Sequence, residues 1–339
     1  MWKSLRNYFT LLRENDPETW RPLLAVYYVT YACRFKCPYC SDGSGTPYPR
    51  LRDSTLSAEQ VTALLTTVRA ACDYLVLTGG EPLQHPELAR ILLGTKSLAF
   101  DGVILTTNGD GLDRLLPEVN QAVTHLVFSL DSLCADKADA WFGVGAGTLS
   151  RILAQIDTAT NWPGRRYEIV ISSVVTPEGI ADLYAVYRYC KSRGYTFAAC
   201  PQLVGTVAHE ALGRQTQYRD FYDYLIAEKL SGHKINGTVE YLEHMRDLRK
   251  FDCVPSATLA ISPSGQVFYP CLEHGTMAGN LLEVPDLDRL RRQARVKLGS
   301  EPKCGVQCHS ACALGFSLLL SKPWTAVREG YLQLLAAGR

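Results

Sequence analysis

Three cysteines stand close together near the start of the chain, within the stretch YACRFKCPYCSDG (31–43). Their spacing, Cys33-x-x-x-Cys37-x-x-Cys40, places three thiolates in one short loop. Structural zinc sites use four protein ligands, and these usually come from two separated pairs. Three local thiolates suit instead an iron–sulfur cubane in which one iron keeps an open position for a substrate or cofactor.

The composition narrows what these cysteines can be. The chain of 339 residues contains twelve cysteines, is 47% hydrophobic and carries a formal net charge of +1. Near-neutral charge gives no electrostatic reason to expect nucleic acid or an anionic membrane as a partner. No secretory signal and no membrane-spanning run is recognisable, which predicts a cytoplasmic protein. Disulfides are rare in that reducing compartment, so clustered cysteines favour metal ligands or catalysts.

The elements around the cysteines alternate between short β-branched runs and longer helical patterns from about residue 22 to 203. Such alternation favours a parallel sheet. We therefore predict an α/β fold, namely a partial (β/α)6 barrel of the TIM type. Its predicted strands are 23–31, 74–77, 102–107, 125–130, 167–175 and 195–201.

Polar and glycine-rich motifs follow the first four predicted strands. The active sites of parallel α/β folds lie at the C-terminal ends of the strands. The three cysteines follow the first strand directly. The later motifs are TGGEP (78–82), TTNGD (106–110) and SLDS (129–132). All four motifs are thus expected at one end of the sheet.

These ordered motifs resemble those of the radical S-adenosylmethionine (radical SAM) superfamily. The three-cysteine loop, with an aromatic residue before its third cysteine, resembles the cluster loop of that family, and Gly79-Gly80-Glu81-Pro82 resembles its GGEP element. The resemblance implies a [4Fe–4S] cluster on Cys33, Cys37 and Cys40 whose open iron chelates S-adenosylmethionine. It further implies reductive cleavage of that cofactor to a 5′-deoxyadenosyl radical, which abstracts hydrogen from a C–H bond.

The resemblance also implies contacts to S-adenosylmethionine. Taken alone, Gly79-Gly80 and Asn108 would be ordinary turn residues and Asp131 a helix cap, and only their order and position indicate a function. The GGEP residues would meet the methionine amino group, the aromatic residue of the cluster loop the adenine, and the others the carboxylate and ribose ends. The set is Tyr39, Gly79, Gly80, Glu81, Pro82, Asn108, Ser129 and Asp131.

A second group of cysteines appears after residue 208, where helices and a predicted hairpin at 257–271 replace the alternation. It resembles the SPASM or twitch extensions of the family. The group is Cys253, Cys271, Cys304, Cys308 and Cys312. The resemblance implies one auxiliary [4Fe–4S] cluster, bound by the first two and two of the last three. A zinc site with four cysteine ligands is the alternative.

Three segments follow from this organisation. Residues 1–21 are predicted to form a helical segment, and residues 22–208 the radical SAM core. Residues 209–339 are predicted to form a helical linker and the small cysteine-rich hairpin and helix extension that holds the auxiliary cluster.

The remaining cysteines separate into two groups. Cys200 closes the sixth predicted strand and is the candidate hydrogen-atom donor, with simple burial as the alternative. Cys72, Cys134 and Cys190 lie on helical or apolar stretches, so we expect them to be packing residues.

The substrate is expected to be a small biosynthetic molecule or secondary metabolite. Only 32 residues precede Cys33, too few for the leader-binding domain that the resemblance associates with peptide-modifying members. A peptide-modifying enzyme and a non-catalytic electron-transfer protein are the alternatives. An enzyme of this type would also need an external electron donor such as flavodoxin or ferredoxin.

Overall fold

The computed structural model describes residues 2–13, 19–41, 46–299, 308–325 and 328. Its strands are β1 (Leu24–Thr30), β2 (Tyr74–Gly79), β3 (Gly102–Thr107), β4 (His125–Ser129), β5 (Glu168–Val175), β6 (Thr196–Pro201), β7 (Leu203–Val204), β8 (Val207–Ala208), β9 (Thr258–Ile261), β10 (Gln266–Phe268) and β11 (Met277–Asn280). Its helices are α1 (Trp2–Arg13), α2 (Ala58–Ala71), α3 (Leu88–Ser97), α4 (Leu116–Ala122), α5 (Ala135–Phe142), α6 (Thr148–Thr160), α7 (Ile180–Arg193), α8 (Glu210–Arg214), α9 (Thr216–Leu230), α10 (Val239–Asp247), α11 (Leu287–Leu298) and α12 (Ala311–Ser321). Within this part of the chain, no helix is long and apolar enough to cross a bilayer.

Strands β1 to β6 lie side by side in chain order, and each pairs in parallel with the next. The sheet is open, with β6 at one end and β11 at the other. This arrangement confirms the predicted partial barrel and its six strands. Helix α5 was not predicted, because its eight residues bury only Ala138 and Phe142, too few apolar positions to show a helical period.

The predicted hairpin extends the core sheet. Strand β9 pairs in parallel with β1, from Leu24 opposite Thr258 to Tyr27 opposite Ile261. Strands β10 and β11 then continue the same sheet in antiparallel fashion. The hairpin that precedes Cys271 therefore belongs to the same sheet as β1, the strand that leads into the three-cysteine loop.

The two faces of the sheet have different surroundings, because successive side chains of a strand point to opposite faces. One face is apolar and buried, with Leu77, Leu105, Phe128 and Ile171 fully inaccessible to solvent. The neighbouring position in each of these strands carries a hydroxyl group that faces a cavity: Thr78, Thr106, Ser129 and Ser172. The sheet thus holds the core on one face and a polar wall on the other.

The three expected packing cysteines do not behave alike. Cys72 and Cys190 are fully buried, as predicted. The prediction for Cys134 was wrong, because its side chain is exposed. Cys134 occupies the residue before the first turn of α5, where the chain leaves the core.

Candidate active site

Most of the site residues predicted from the sequence line one cavity, which has a volume of about 460 Å³. It is lined by predicted site residues from both halves of the chain: Cys33, Cys37, Tyr39, Cys40, Gly79, Gly80, Glu81, Asn108, Ser129, Asp131, Cys200, Cys271 and Cys312. Pro82, Cys253 and Cys308 are not part of this lining, and Cys304 lies outside the described residues. The strand-end motifs and two members of the second cysteine group therefore open on the same space.

The three-cysteine loop is held against helix α5. The Lys36 N–H donates a hydrogen bond to the Phe142 carbonyl oxygen at 2.9 Å, and the ring of Phe35 packs on Phe142 with centroids 5.0 Å apart. Within the loop, the Cys40 N–H donates to the Cys37 carbonyl oxygen at 3.1 Å. These contacts fix the backbone from which all three thiols project.

The three thiols lie within electrostatic reach of one another. Burial raises the pKa of Cys37 to about 12, and the charges of Cys40, Asp131 and Cys33 add to that shift. Burial likewise raises the pKa of Cys40 to about 11, with a further contribution from Cys33. Three thiols in this setting would form thiolates beside a bound cation, because a coordinating thiol is deprotonated by the metal.

The cysteine loop offers three thiols to the cavity, and iron–sulfur clusters are held by cysteine thiolates. Cys33, Cys37 and Cys40 on one cavity wall therefore fit a [4Fe–4S] cluster.

Gly79 and Gly80 allow the end of β2 to approach the chain that enters the cysteine loop. The Gly80 N–H donates to the Thr30 carbonyl oxygen at 2.7 Å, and the Glu81 N–H donates to the Ala32 carbonyl oxygen at 2.8 Å. A Cβ atom on Gly80 would lie 2.4 Å from the Ala32 oxygen. These glycines are thus needed for contact between two backbone segments, which the sequence alone did not indicate.

Glu81 joins the ends of β2 and β3. One carboxylate oxygen accepts from the Thr107 hydroxyl at 2.7 Å, and the other accepts from the Asn108 N–H at 2.7 Å. Burial raises the pKa of Glu81 to about 7, although these hydrogen bonds favour the charged form. The Asn108 side chain in turn accepts from the Asp110 N–H at 2.9 Å. Glu81 therefore positions the loop that carries Asn108.

Tyr39 is fixed to strand β5 through Asp131. Its hydroxyl donates to Oδ2 of Asp131, whose Oδ1 accepts from the Val174 N–H at 2.6 Å. Burial raises the pKa of Asp131 to about 6. Trp141 packs edge-on against Tyr39, with ring centroids 5.8 Å apart. The observed contacts of Asp131 hold the aromatic residue of the cluster loop, and its contact with S-adenosylmethionine stays a prediction.

We expect a double-mutant cycle of Tyr39→Phe and Asp131→Ala to give a coupling free energy of about 1.5 to 3 kcal/mol. The physical reason is that each single change leaves the other side chain buried without this hydrogen bond, while the double change removes both groups. The measurement is the free energy of unfolding in urea, made on the cluster-free chain. Additive effects of the two changes would show that this hydrogen bond does not hold the loop.

The second cysteine group reaches the cavity from the side of β10 and α12. Cys271 follows β10 closely, and Cys312 lies in the first turn of α12. His309 fixes the start of that helix, because its N–H donates to the Thr206 carbonyl oxygen at 2.8 Å and its Nδ1 accepts from the Ala208 N–H at 2.9 Å. Cys200 lines the cavity from β6, and burial raises its pKa to about 12.

Several lining residues were missed by sequence reasoning. Tyr28 and Tyr48 stack with ring centroids 6.0 Å apart and planes inclined by 19°. Burial raises the pKa of both tyrosines and of Cys312, and the charge of Glu273, which also lines the cavity, adds to each shift. The residues of a buried parallel strand form a nearly continuous apolar run. The sequence therefore did not indicate that Tyr28 faces a cavity.

Curated proteins resemble part of the chain. Residues 27–193 match the family model described as the radical SAM superfamily. Over 175 residues, the chain is 30% identical to GTP 3′,8-cyclase from Corynebacterium glutamicum, which covers 49% of this chain and 45% of that protein. Over 113 residues, it is 38% identical to molybdenum cofactor biosynthesis protein 1 from Mus musculus, which covers 32% of this chain and 18% of that protein. The chain thus matches less than half the length of these relatives.

Solved structures resemble more of the chain in fold. The structure of anSMEcpe with bound AdoMet has a TM-score of 0.62 at 15% identity, covering 94% of this chain and 100% of that one. Streptococcus suis SuiB bound to precursor peptide SuiA has a TM-score of 0.60 at 16% identity, covering 80% and 65%. At such identities the likeness concerns the fold alone. With this family match, the open parallel sheet and the strand-end motifs, residues 27–193 form a domain of the radical SAM superfamily, whose cofactors are a [4Fe–4S] cluster and S-adenosylmethionine.

Proposed function

We propose that this protein is an enzyme that cleaves S-adenosylmethionine reductively and abstracts hydrogen from a C–H bond of a small organic substrate. The observation that carries the proposal is the single cavity shared by the three-cysteine loop, the strand-end motifs and the second cysteine group. When bound, the cluster and S-adenosylmethionine supply the electron and the 5′-deoxyadenosyl radical. The chain's own residues hold these groups and orient the substrate.

Cys33, Cys37 and Cys40 would hold the first cluster. The hydrogen bonds of Gly80 and Glu81 to the backbone at Thr30 and Ala32 keep the GGEP turn beside that loop. The contacts to S-adenosylmethionine proposed for Tyr39, Gly79, Gly80, Glu81, Pro82, Asn108, Ser129 and Asp131 follow from the family motif. The hydroxyl groups along the cavity wall would then orient a polar substrate by hydrogen bonds.

We place an auxiliary [4Fe–4S] cluster on Cys253, Cys271 and two of Cys304, Cys308 and Cys312. Support comes from Cys271 and Cys312, which reach the cavity from neighbouring elements. A cluster with four protein ligands would carry electrons, whereas one with an open iron would bind substrate.

A small organic substrate is the first candidate, supported by the hydroxyl groups along the cavity wall, which can orient a polar molecule by hydrogen bonds. A peptide-modifying enzyme is the second candidate, supported by the fold likeness to SuiB, which was solved with its precursor peptide. Either enzyme would work in the cytoplasm with an external electron donor such as flavodoxin or ferredoxin.

The test is formation of 5′-deoxyadenosine by the anaerobically reconstituted and reduced full chain. We expect the product only when both reductant and S-adenosylmethionine are present, and we expect Cys37→Ala to abolish it. Cys134→Ala is the matched control, since that cysteine is exposed and does not line the cavity. An electron-transfer protein without catalytic activity would take up iron and accept electrons but form no 5′-deoxyadenosine.

A further inference from the structure

We infer that His309 is a positioning residue that holds the second cysteine group against the wall of the cavity. This inference rests on the proposed function, in particular on its auxiliary cluster, and concerns a residue that binds no metal itself. His309 directly follows Cys308 and stands three residues before Cys312. Its side chain is buried, with 6% of its surface exposed.

His309 joins α12 to the short hairpin of β7 and β8. Its backbone N–H donates to the Thr206 carbonyl oxygen at 2.8 Å, and Nδ1 of its ring accepts from the Ala208 N–H at 2.9 Å. The hairpin follows β6 after one residue, and its residues Leu203 and Gly205 line the cavity. The start of α12 is therefore fixed to a segment that forms part of the cavity wall.

The other ring nitrogen of His309 reaches the end of α10. The ring makes a hydrogen bond with the backbone of Leu248. Because Nδ1 accepts a hydrogen bond, the proton of the neutral ring lies on Nε2, which is then the atom that donates to the Leu248 carbonyl oxygen. Leu248 has a φ of 48°, in the left-handed region that a bulky side chain rarely adopts. A backbone in such a conformation needs contacts that fix it, and the His309 ring supplies one.

These contacts leave His309 no ring nitrogen for a metal ion. A histidine binds a metal through the lone pair of an unprotonated nitrogen. The lone pair of Nδ1 already accepts from the Ala208 N–H, and Nε2 carries the proton. His309 therefore acts on the second cysteine group only through the position of the chain, whether that group binds iron or zinc.

The cysteines on either side of His309 depend on its position. Cys312 lies in the first turn of α12 and lines the cavity. The sulfur of Cys308 accepts a hydrogen bond from the Ser310 N–H at 3.3 Å. Without the His309 ring, the start of α12 loses the hydrogen bonds of that ring to two other segments. Thiols that must meet one cluster would then lose their fixed geometry, because ligands are oriented by the groups behind them.

The test is the amount of iron and labile sulfide bound by His309→Leu and His309→Asn after anaerobic reconstitution of the full chain. We expect His309→Leu to bind about four iron atoms where the wild type binds about eight. We expect His309→Asn to keep more than about six, because its side-chain oxygen can accept from the Ala208 N–H in place of Nδ1. The electron paramagnetic resonance signal lost in His309→Leu should be the one that does not change when S-adenosylmethionine is added.

His85→Leu is the matched control. His85 is buried to the same degree, its Nε2 lies 3.1 Å from the Leu56 carbonyl oxygen, and its Nδ1 accepts from the Glu87 N–H at 3.1 Å. It thus makes the same two kinds of ring contact, but in the turn after β2. We expect His85→Leu to keep the signal that is insensitive to S-adenosylmethionine. Urea unfolding of the cluster-free chains shows which variants fold.

Unchanged iron in His309→Leu, or loss of the same signal in His85→Leu, would overturn the inference. If His309→Leu does not fold, His309→Asn decides, since a folded His309→Asn chain with only about four iron atoms would also overturn it. A wild type that itself binds only about four iron atoms would refute the auxiliary cluster, and the inference with it. Formation of 5′-deoxyadenosine, measured on the same preparations, judges the first site separately.

Discussion

Gly80→Ala should destabilise the folded chain by about 3 kcal/mol and lower its capacity to hold the first cluster. A Cβ atom at this position would lie 2.4 Å from the Ala32 carbonyl oxygen and 2.5 Å from that of Tyr31. Both are backbone atoms, so no side-chain rotation can relieve the overlap. The chain entering the cysteine loop would have to move, and the hydrogen bonds that join it to Gly80 and Glu81 would weaken.

The effect of Gly80→Ala is measured as the free energy of unfolding in urea and as iron bound after reconstitution. Gly213→Ala is the matched control, because a Cβ atom there would meet only a Leu248 methyl carbon, at 3.6 Å, within helix α8. Alanine also favours a helix over glycine by about 1 kcal/mol. Equal stability of the two variants would show that the backbone contact does not position the loop.

The double variant Cys271→Ala, Cys312→Ala is expected to lose the auxiliary cluster and keep cleavage of S-adenosylmethionine. These two cysteines reach the cavity from β10 and α12, away from the strands that carry the first cluster. We take Cys312 as one of the two ligands from the last three cysteines, because it lines the cavity together with Cys271. The double change then leaves two thiolates, too few to hold a cubane. The first site keeps all three of its cysteines.

Electron paramagnetic resonance of the reduced protein separates these two sites. The wild type should show two [4Fe–4S] signals, and the double variant only the one that changes when S-adenosylmethionine is added. The exposed Cys134 again provides the control substitution. Two unchanged signals in the double variant would mean that Cys271 and Cys312 are not cluster ligands.

Much of the fold followed from local patterns in the sequence. The six parallel strands and the motif after each of the first four are properties of short stretches, because strand period and turn composition are local signals. The pairing of β9 with β1 joins residues more than 230 positions apart, such as Leu24 and Thr258. No local period encodes such a pairing, so the sequence predicted the hairpin but not its place in the sheet.

The sequence predicted the cysteines and the motifs of the site, but not all the contacts of its individual side chains. Glu81 and Asp131 were expected to contact S-adenosylmethionine, yet their observed hydrogen bonds hold Asn108 and Tyr39. Such links depend on which loops meet at the strand ends, which only the three-dimensional arrangement reveals. The stacked pair of Tyr28 and Tyr48 was missed for the same reason.

We propose that Cys33, Cys37 and Cys40 hold a [4Fe–4S] cluster in a cavity shared with a second cysteine group. The decisive measurement is the amount of iron and labile sulfide per chain after anaerobic reconstitution. We predict about eight iron atoms in the wild type and about four in the variant with all three cysteines changed to alanine. If the wild type binds four iron atoms and one zinc ion per chain and the variant binds no iron, the second group is a structural zinc site. No iron in the wild type, or the same iron content in the variant, would contradict the assignment of the first site.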